Sequence, residues 1–166
     1  MKKAGIVFLF LFTLLYLVPL GVRPMAIPDE TRYAEIPREM IATGDWIVPR
    51  LDGMRYFEKP VLGPWLNAIA ITLFGENAFA IRLPSALAAG FSSLLIWLLV
   101  RRFGGGPQPA LLAAAVYLTC LEVFFLGTFS VLDSVFSLFV TATLVCFYWG
   151  WRETVSLRKR NAFLVL

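Results

Sequence analysis

The chain has 166 residues, 59% of them hydrophobic and only 16% charged, with a formal net charge of +4. A soluble domain carries about 25% charge and about half apolar residues, so the expected solvent is lipid and no nucleic-acid partner is expected. Histidine is absent, which removes the commonest general base and leaves carboxylates, Lys, Arg or Tyr for any chemistry.

Crossing a bilayer core takes about 20 apolar residues. The first run, residues 4–22, follows Lys2 and Lys3. It is longer than a signal-peptide core and lacks a small-x-small cleavage site, so it reads as an uncleaved span. Further spans are expected at 83–100, 110–126 and 131–151, with a fifth starting at 161. That last run stops inside its apolar stretch, which suggests the front part of a longer protein. Cys120 and Cys146 lie in apolar runs without metal-site spacing and read as small buried hydrophobes.

The apolar segment 60–75 is short for a span, and charge decides its place. If it lies on the surface, Lys2, Lys3, Arg101, Arg102, Arg152, Arg158, Lys159 and Arg160 share one side with the single acid Glu153. The loop 23–82 then carries seven basic and eight acidic residues on the other side. The positive-inside rule therefore predicts a cytoplasmic N-terminus and a large extracytoplasmic loop.

That loop opens with "PDETRYAEIPREM", residues 28–40. On a helix, Tyr33, Ile36 and Met40 share a face, and Arg32–Glu35 and Glu35–Arg38 are spaced for pairing. The pattern predicts an amphipathic helix beside a membrane, kinked or irregular at Pro37. On spacing alone, helix capping leads as the account of Asp29, with Glu30 favouring the dipole in the first turn.

A second polar group, "MRYFEKPVLGPW", sets Arg55, Glu58 and Lys59 among Tyr56, Phe57 and Trp65. An interfacial anchor and a phosphate site are both compatible with it, the anchor leading on spacing. Asp133, near the start of the fourth span, is either a functional carboxylate or a helix cap. Glu122 is a weaker candidate at the interface. All of these fall on the outer side, so Asp29, Glu58, Lys59 and Asp133 are expected to converge on one cavity.

"DETRYAE", then "GDW", then "YFEKP" resembles the first extracytoplasmic loop of GT-C membrane glycosyltransferases. The likeness is to bacterial relatives of protein O-mannosyltransferase, and especially to lipid A aminoarabinose transferases. It implies an all-α integral membrane fold, a partial GT-C transmembrane helical bundle with juxtamembrane helices in the first loop. It also implies inverting transfer of a sugar from a polyprenyl-phosphate donor to a lipid A, glycan or protein acceptor, outside the bacterial inner membrane.

On that resemblance Asp29 matches a catalytic aspartate, Glu30 its paired glutamate and Asp133 an acid in an "LD" context. Lys59 matches a residue near the donor phosphate, with Arg55 and Arg32 as further phosphate-binding candidates and Tyr33 and Tyr56 lining the substrate. Glu58 falls where a relative has a metal contact, and dependence on a divalent metal stays open. Family members are several times longer, so the 166 residues alone are expected to be inactive. The alternative is a non-enzymatic membrane protein, a carrier, flippase component or scaffold, binding a lipid phosphate through Arg55 and Lys59.

Overall fold

The computed structural model describes residues 2–152; the fifth run expected from 161 lies outside the described residues. Helix α1 (Lys2–Phe12) continues through a π-helical turn, Thr13–Leu17, and a 3-10 turn, Val18–Gly21. Pro19 has no N–H to return to the carbonyl four residues back, which is where helical ladders commonly change pitch.

The loop that follows is built rather than loose. It holds α2 (Asp29–Thr43), a hairpin of β1 (Arg50–Leu51) and β2 (Met54–Arg55), and α3 (Leu62–Phe74). The hairpin pairs Arg50 with Arg55 and Leu51 with Met54. Its two turn residues, Asp52 and Gly53, have φ of 53° and 77°, the positive values that a two-residue type I′ turn needs. Both Glu39 carboxylate oxygens accept from the Gly53 N–H, at 3.1 and 3.2 Å, so the hairpin is clipped back onto α2.

The "GDW" sequence has a local structural reason. Gly44 ends α2 in the left-handed region at φ 70°, a helix stop that suits glycine. Asp45 Oδ1 then accepts from the N–H groups of Ile47 and Val48. The Trp46 carbonyl accepts from the Trp65 indole at 2.6 Å, which ties this corner to α3.

Among the described residues two helices, α4 (Ala78–Arg102) and α7 (Asp133–Arg152), are each long and apolar enough to cross a membrane. Helix α3, with 13 residues, reaches only about 20 Å at ~1.5 Å per residue. Helices α5 (Pro107–Thr119) and α6 (Leu121–Thr128) meet at a 65° bend, where the sequence led us to expect an unbroken run at 110–126. Tyr16 supplies the physical reason. Its hydroxyl donates to the Leu118 carbonyl at 2.7 Å, satisfying a last-turn acceptor that an apolar environment would otherwise leave unpaired. Cys120 then adopts an extended conformation. It is exposed and Cys146 half-buried, so neither is the core residue expected.

Helix α4 is central, touching α3, α5, α6, α7 and the end of the first helix. Its buried positions are mostly small: Ala80, Ala86, Ala88, Ala89, Ser85, Ser92 and Ser93. Small residues let helix backbones approach closely in a membrane. The apolar core at its N-terminal half combines Tyr16, Leu20, Ala86, Ala89 and Leu118.

Candidate functional site

The loop is fastened to the bundle by one carboxylate. Glu30, in the first turn of α2, is 0% exposed. Arg82, from the second turn of α4, meets it side-on with Nε to Oε1 at 2.7 Å and Nη2 to Oε2 at 2.8 Å. The rest of the Arg82 guanidinium donates to the carbonyls of Leu20, Arg23 and Pro24. Glu30 also accepts from the N–H groups of Ala26 and Ser130, at 2.8 and 3.0 Å. Arg23 approaches at 3.3 Å, stacks over Phe129 and donates to the Thr128 carbonyl. Burial opposes ionisation of Glu30, but the hydrogen bonds from Arg82, Ala26 and Ser130 outweigh it and hold the carboxyl at about 2.

A second crosslink solves the problem of Pro37. Proline in a helix leaves the carbonyl four residues earlier without a donor, here that of Tyr33. Helix α2 nonetheless runs through Pro37, because Asn67 Nδ2 on α3 donates to the Tyr33 carbonyl at 3.1 Å. The same amide reaches Ser130 Oγ at 3.2 Å. Glu30 and Asn67 thereby fix the turn between α6 and α7, and with it the start of α7 at Asp133. Gly63 completes the fit: a Cβ there would lie 2.0 Å from Leu132 Cδ2, so the Leu132 side chain packs directly over the α3 backbone and would have to move to admit a larger residue.

These crosslinks gather the outward-facing groups. Asp29 begins α2 and is exposed; no side chain caps the helix, whose N-cap is Pro28. The capping account of Asp29 is thus replaced by an ion pair, Arg32 Nη2 to Asp29 Oδ1 at 2.7 Å. Arg32 Nη1 donates to the Tyr56 hydroxyl at 3.3 Å, and that hydroxyl donates to Glu58 Oε2 at 3.1 Å. Beside this chain, the half-buried Tyr33 hydroxyl is pushed up, first by burial and then by Tyr56 and the Asp133 and Asp29 carboxylates, with Arg32 opposing. Asp29, Arg32, Tyr33, Tyr56, Glu58 and Asp133 therefore share one electrostatic neighbourhood.

A family model described as dolichyl-phosphate-mannose-protein mannosyltransferase matches residues 3–166. The chain belongs to that family. An undecaprenyl phosphate-alpha-4-amino-4-deoxy-L-arabinose arabinosyl transferase of Edwardsiella ictaluri is 47% identical over 156 residues, covering 94% of this chain and 28% of that protein. The enzyme of that name numbered 2 in Proteus mirabilis is 45% identical, covering 99% of this chain and 30% of its own. The crystal structure of ArnT from Cupriavidus metallidurans bound to undecaprenyl phosphate superposes with a TM-score of 0.90 at 29% identity, over 97% of this chain and 30% of that one. The chain thus spans about three-tenths of the length of these relatives. The all-α membrane architecture of the GT-C type, read from the sequence, is the one observed.

Within this family frame, the expected site residues divide by surroundings. Asp29, Arg32, Tyr33, Tyr56, Glu58 and Asp133 come together as described. Lys59 and Arg55 are exposed and make no side-chain hydrogen bond or ion pair with another described residue. Lys59 follows Glu58 directly, about 3.8 Å away between Cα atoms. Glu30 differs from its expected part as the catalytic partner of Asp29: its carboxylate faces inward and every oxygen is engaged.

Among the described residues, Glu58 belongs to no cluster of three metal-ligating groups. Its neighbour is a phenol, and the one carboxylate group close enough to share an ion among the described residues is Glu35, Glu39 and Asp52. Two members of that trio are already engaged, Glu35 by Arg38 and Glu39 by Gly53. Residues not singled out in the sequence, Arg23, Arg82, Asn67 and Ser130, turn out to position the site. Arg82 carried a signal, since an arginine inside an apolar helix is costly and demands a partner.

Proposed function

We propose that this chain forms the sugar-donor end of an inverting glycosyltransferase. It uses a sugar carried on undecaprenyl phosphate, 4-amino-4-deoxy-L-arabinose, and works on the outer side of the bacterial inner membrane with its N-terminus in the cytoplasm. The likeness to lipid A aminoarabinose transferases favours a lipid A phosphate as acceptor over a glycan or protein. The observation that carries this reading is the open carboxylate of Asp29, bound to Arg32 and set beside Tyr33, Tyr56 and Asp133.

The chemistry suits these groups. The bond between the anomeric carbon and the donor phosphate oxygen breaks as the acceptor oxygen forms its bond from the opposite face. Negative charge grows on the departing undecaprenyl phosphate, where Lys59, Arg55 and Arg32 supply cations. A phosphate acceptor is already ionised and needs no base. Asp29 then steadies the cationic sugar in the transition state, and it serves as general base only for a hydroxyl acceptor.

Asp29→Asn in the full-length protein tests this. Transfer measured with the undecaprenyl-phosphate-linked sugar and lipid A should fall about 10²–10³-fold, with the thermal midpoint in detergent unchanged. Wild-type transfer by that variant would sink the proposal. Sidedness is checked separately, by labelling single cysteines with a membrane-impermeant reagent.

A further inference from the structure

The turn that leads into α7 is gripped from several sides at once. Arg23 donates to the Thr128 carbonyl, and the Ser130 N–H donates to Glu30. Asn67 of α3 donates to Ser130 Oγ, and Ser85 Oγ of α4 donates to the Val131 carbonyl at 3.0 Å. Ser85 is buried and lies one helical turn beyond Arg82. A part-buried carbonyl that loses its donor is left unsatisfied, so without Ser85 the turn has reason to shift.

Asp133 follows Val131 by two residues and opens α7, so its place is set by this turn. Tyr33 is tied to the same point from the other side. The Asn67 amide is divided between the Tyr33 carbonyl and Ser130 Oγ, at 3.1 and 3.2 Å. The space enclosed among Tyr33, Asn67, Ser85, Ser130 and Val131 is about 10 Å³, at the lower limit for one water. There is no slack, and a shift of one member passes to the others.

We propose that Ser85 and Asn67 are positioning residues for sugar transfer: they hold Asp133 and Tyr33 at a fixed spacing beside the sugar, and the rate of transfer depends on that spacing. The inference rests on the transferase reading above. The cations offered to the donor phosphate lie elsewhere, Arg32 bonded to Asp29 and Tyr56, and Arg55 and Lys59 exposed. Loosening the turn therefore moves groups at the sugar and spares those at the phosphate. A misplacement of about 1 Å can cost on the order of 10²-fold in rate.

Pro37→Ala separates this role from stability. It gives the Tyr33 carbonyl a backbone donor, so Asn67→Leu/Pro37→Ala should regain much of its thermal midpoint while Ser130 Oγ stays untethered. In the full-length protein, with the undecaprenyl-phosphate-linked sugar and lipid A, kcat of that double variant should be at least about tenfold below that of Pro37→Ala. The KM for the donor should stay within about twofold. Ser85→Ala should show the same split against wild type. Amide exchange over residues 129–136, read by mass spectrometry, should be faster in both.

A kcat that returns with the thermal midpoint in Asn67→Leu/Pro37→Ala, or a wild-type kcat in Ser85→Ala, would overturn the proposal. A raised KM at unchanged kcat would overturn it too. Exchange is measured without substrate and is indifferent to the transferase reading. Absence of transfer by the unaltered protein would refute that reading, whereas unchanged exchange over 129–136 refutes the clamp even in an active enzyme.

Discussion

Glu30 and Arg82 stand 52 residues apart in sequence, yet they form a two-pronged ion pair in which each side chain is 1% exposed. A buried pair gains little over a well-packed apolar substitute, but removing one partner strands the other charge. Here the stranded group would sit where α2, α4 and the turn before α7 all meet. The pair is therefore a fastening for the site, and Asp29 beside it is left free to face outward.

Breaking that fastening should be costly. Arg82→Met leaves Glu30 with only the longer Arg23 contact, at 3.3 Å, and two backbone N–H donors, and is expected to destabilise by about 3 kcal/mol, the lower end for a broken buried pair. Thermal unfolding in detergent, followed by loss of monodisperse protein, measures it. The double variant Arg82→Met/Glu30→Gln should be less damaged than the sum of the two single changes. Additive losses would mean the two side chains act separately.

The same carboxylate sets an acid limit. Glu30 is held at about 2, against an ordinary value of 4.5. A lowered folded-state value means the stabilisation is complete above the unfolded value and drains away as pH falls from about 4.5 through 2. The full shift corresponds to roughly 3 kcal/mol. Glu35, held down by Arg38, and Asp45, held down by the Val48 N–H, are lowered in the same direction. Midpoints measured from pH 7 to pH 3 should be flat at first and then fall, with a shallower fall in Glu30→Gln.

Asn67 and Pro37 are coupled through one carbonyl. Asn67→Leu removes the donor to Tyr33 O and should cost about 1–3 kcal/mol. Adding Pro37→Ala restores a backbone N–H to that same carbonyl, so the double variant should recover much of the loss. A double-mutant cycle on thermal midpoints reads the coupling directly, and zero coupling would show that Asn67 acts elsewhere.

Much of this arrangement could be read from the chain, for identifiable reasons. Composition points to membrane, and "DETRYAE", "GDW" and "YFEKP" point to the family, because those signals are contiguous. Glu30 could not be told from Asp29, since two adjacent acids differ only in which way the helix turns them. Its partners, Arg82 and the Ser130 N–H, come from remote segments. The irregularity expected at Pro37 is averted by Asn67, a polar residue on a different helix. The bend at Cys120 had no Pro or Gly to announce it; it follows from a tyrosine more than a hundred residues away, whose hydroxyl takes the Leu118 carbonyl.

Tyr56 offers a test of the outward-facing chain that leaves the fastening untouched. Its hydroxyl accepts from Arg32 and donates to Glu58, and it is the link between α2 and the segment carrying Lys59. Tyr56→Phe keeps the ring and removes only those two bonds, so stability should change by no more than about 0.5 kcal/mol, as for other surface substitutions. Arg32 then keeps its pairing with Asp29 but loses its tether to the Lys59 segment. If both cations meet the donor phosphate, the KM for the lipid-linked sugar should rise about tenfold, equivalent to about 1.4 kcal/mol, with a smaller change in kcat. An unchanged KM with kcat reduced would instead place Tyr56 at the reacting atoms.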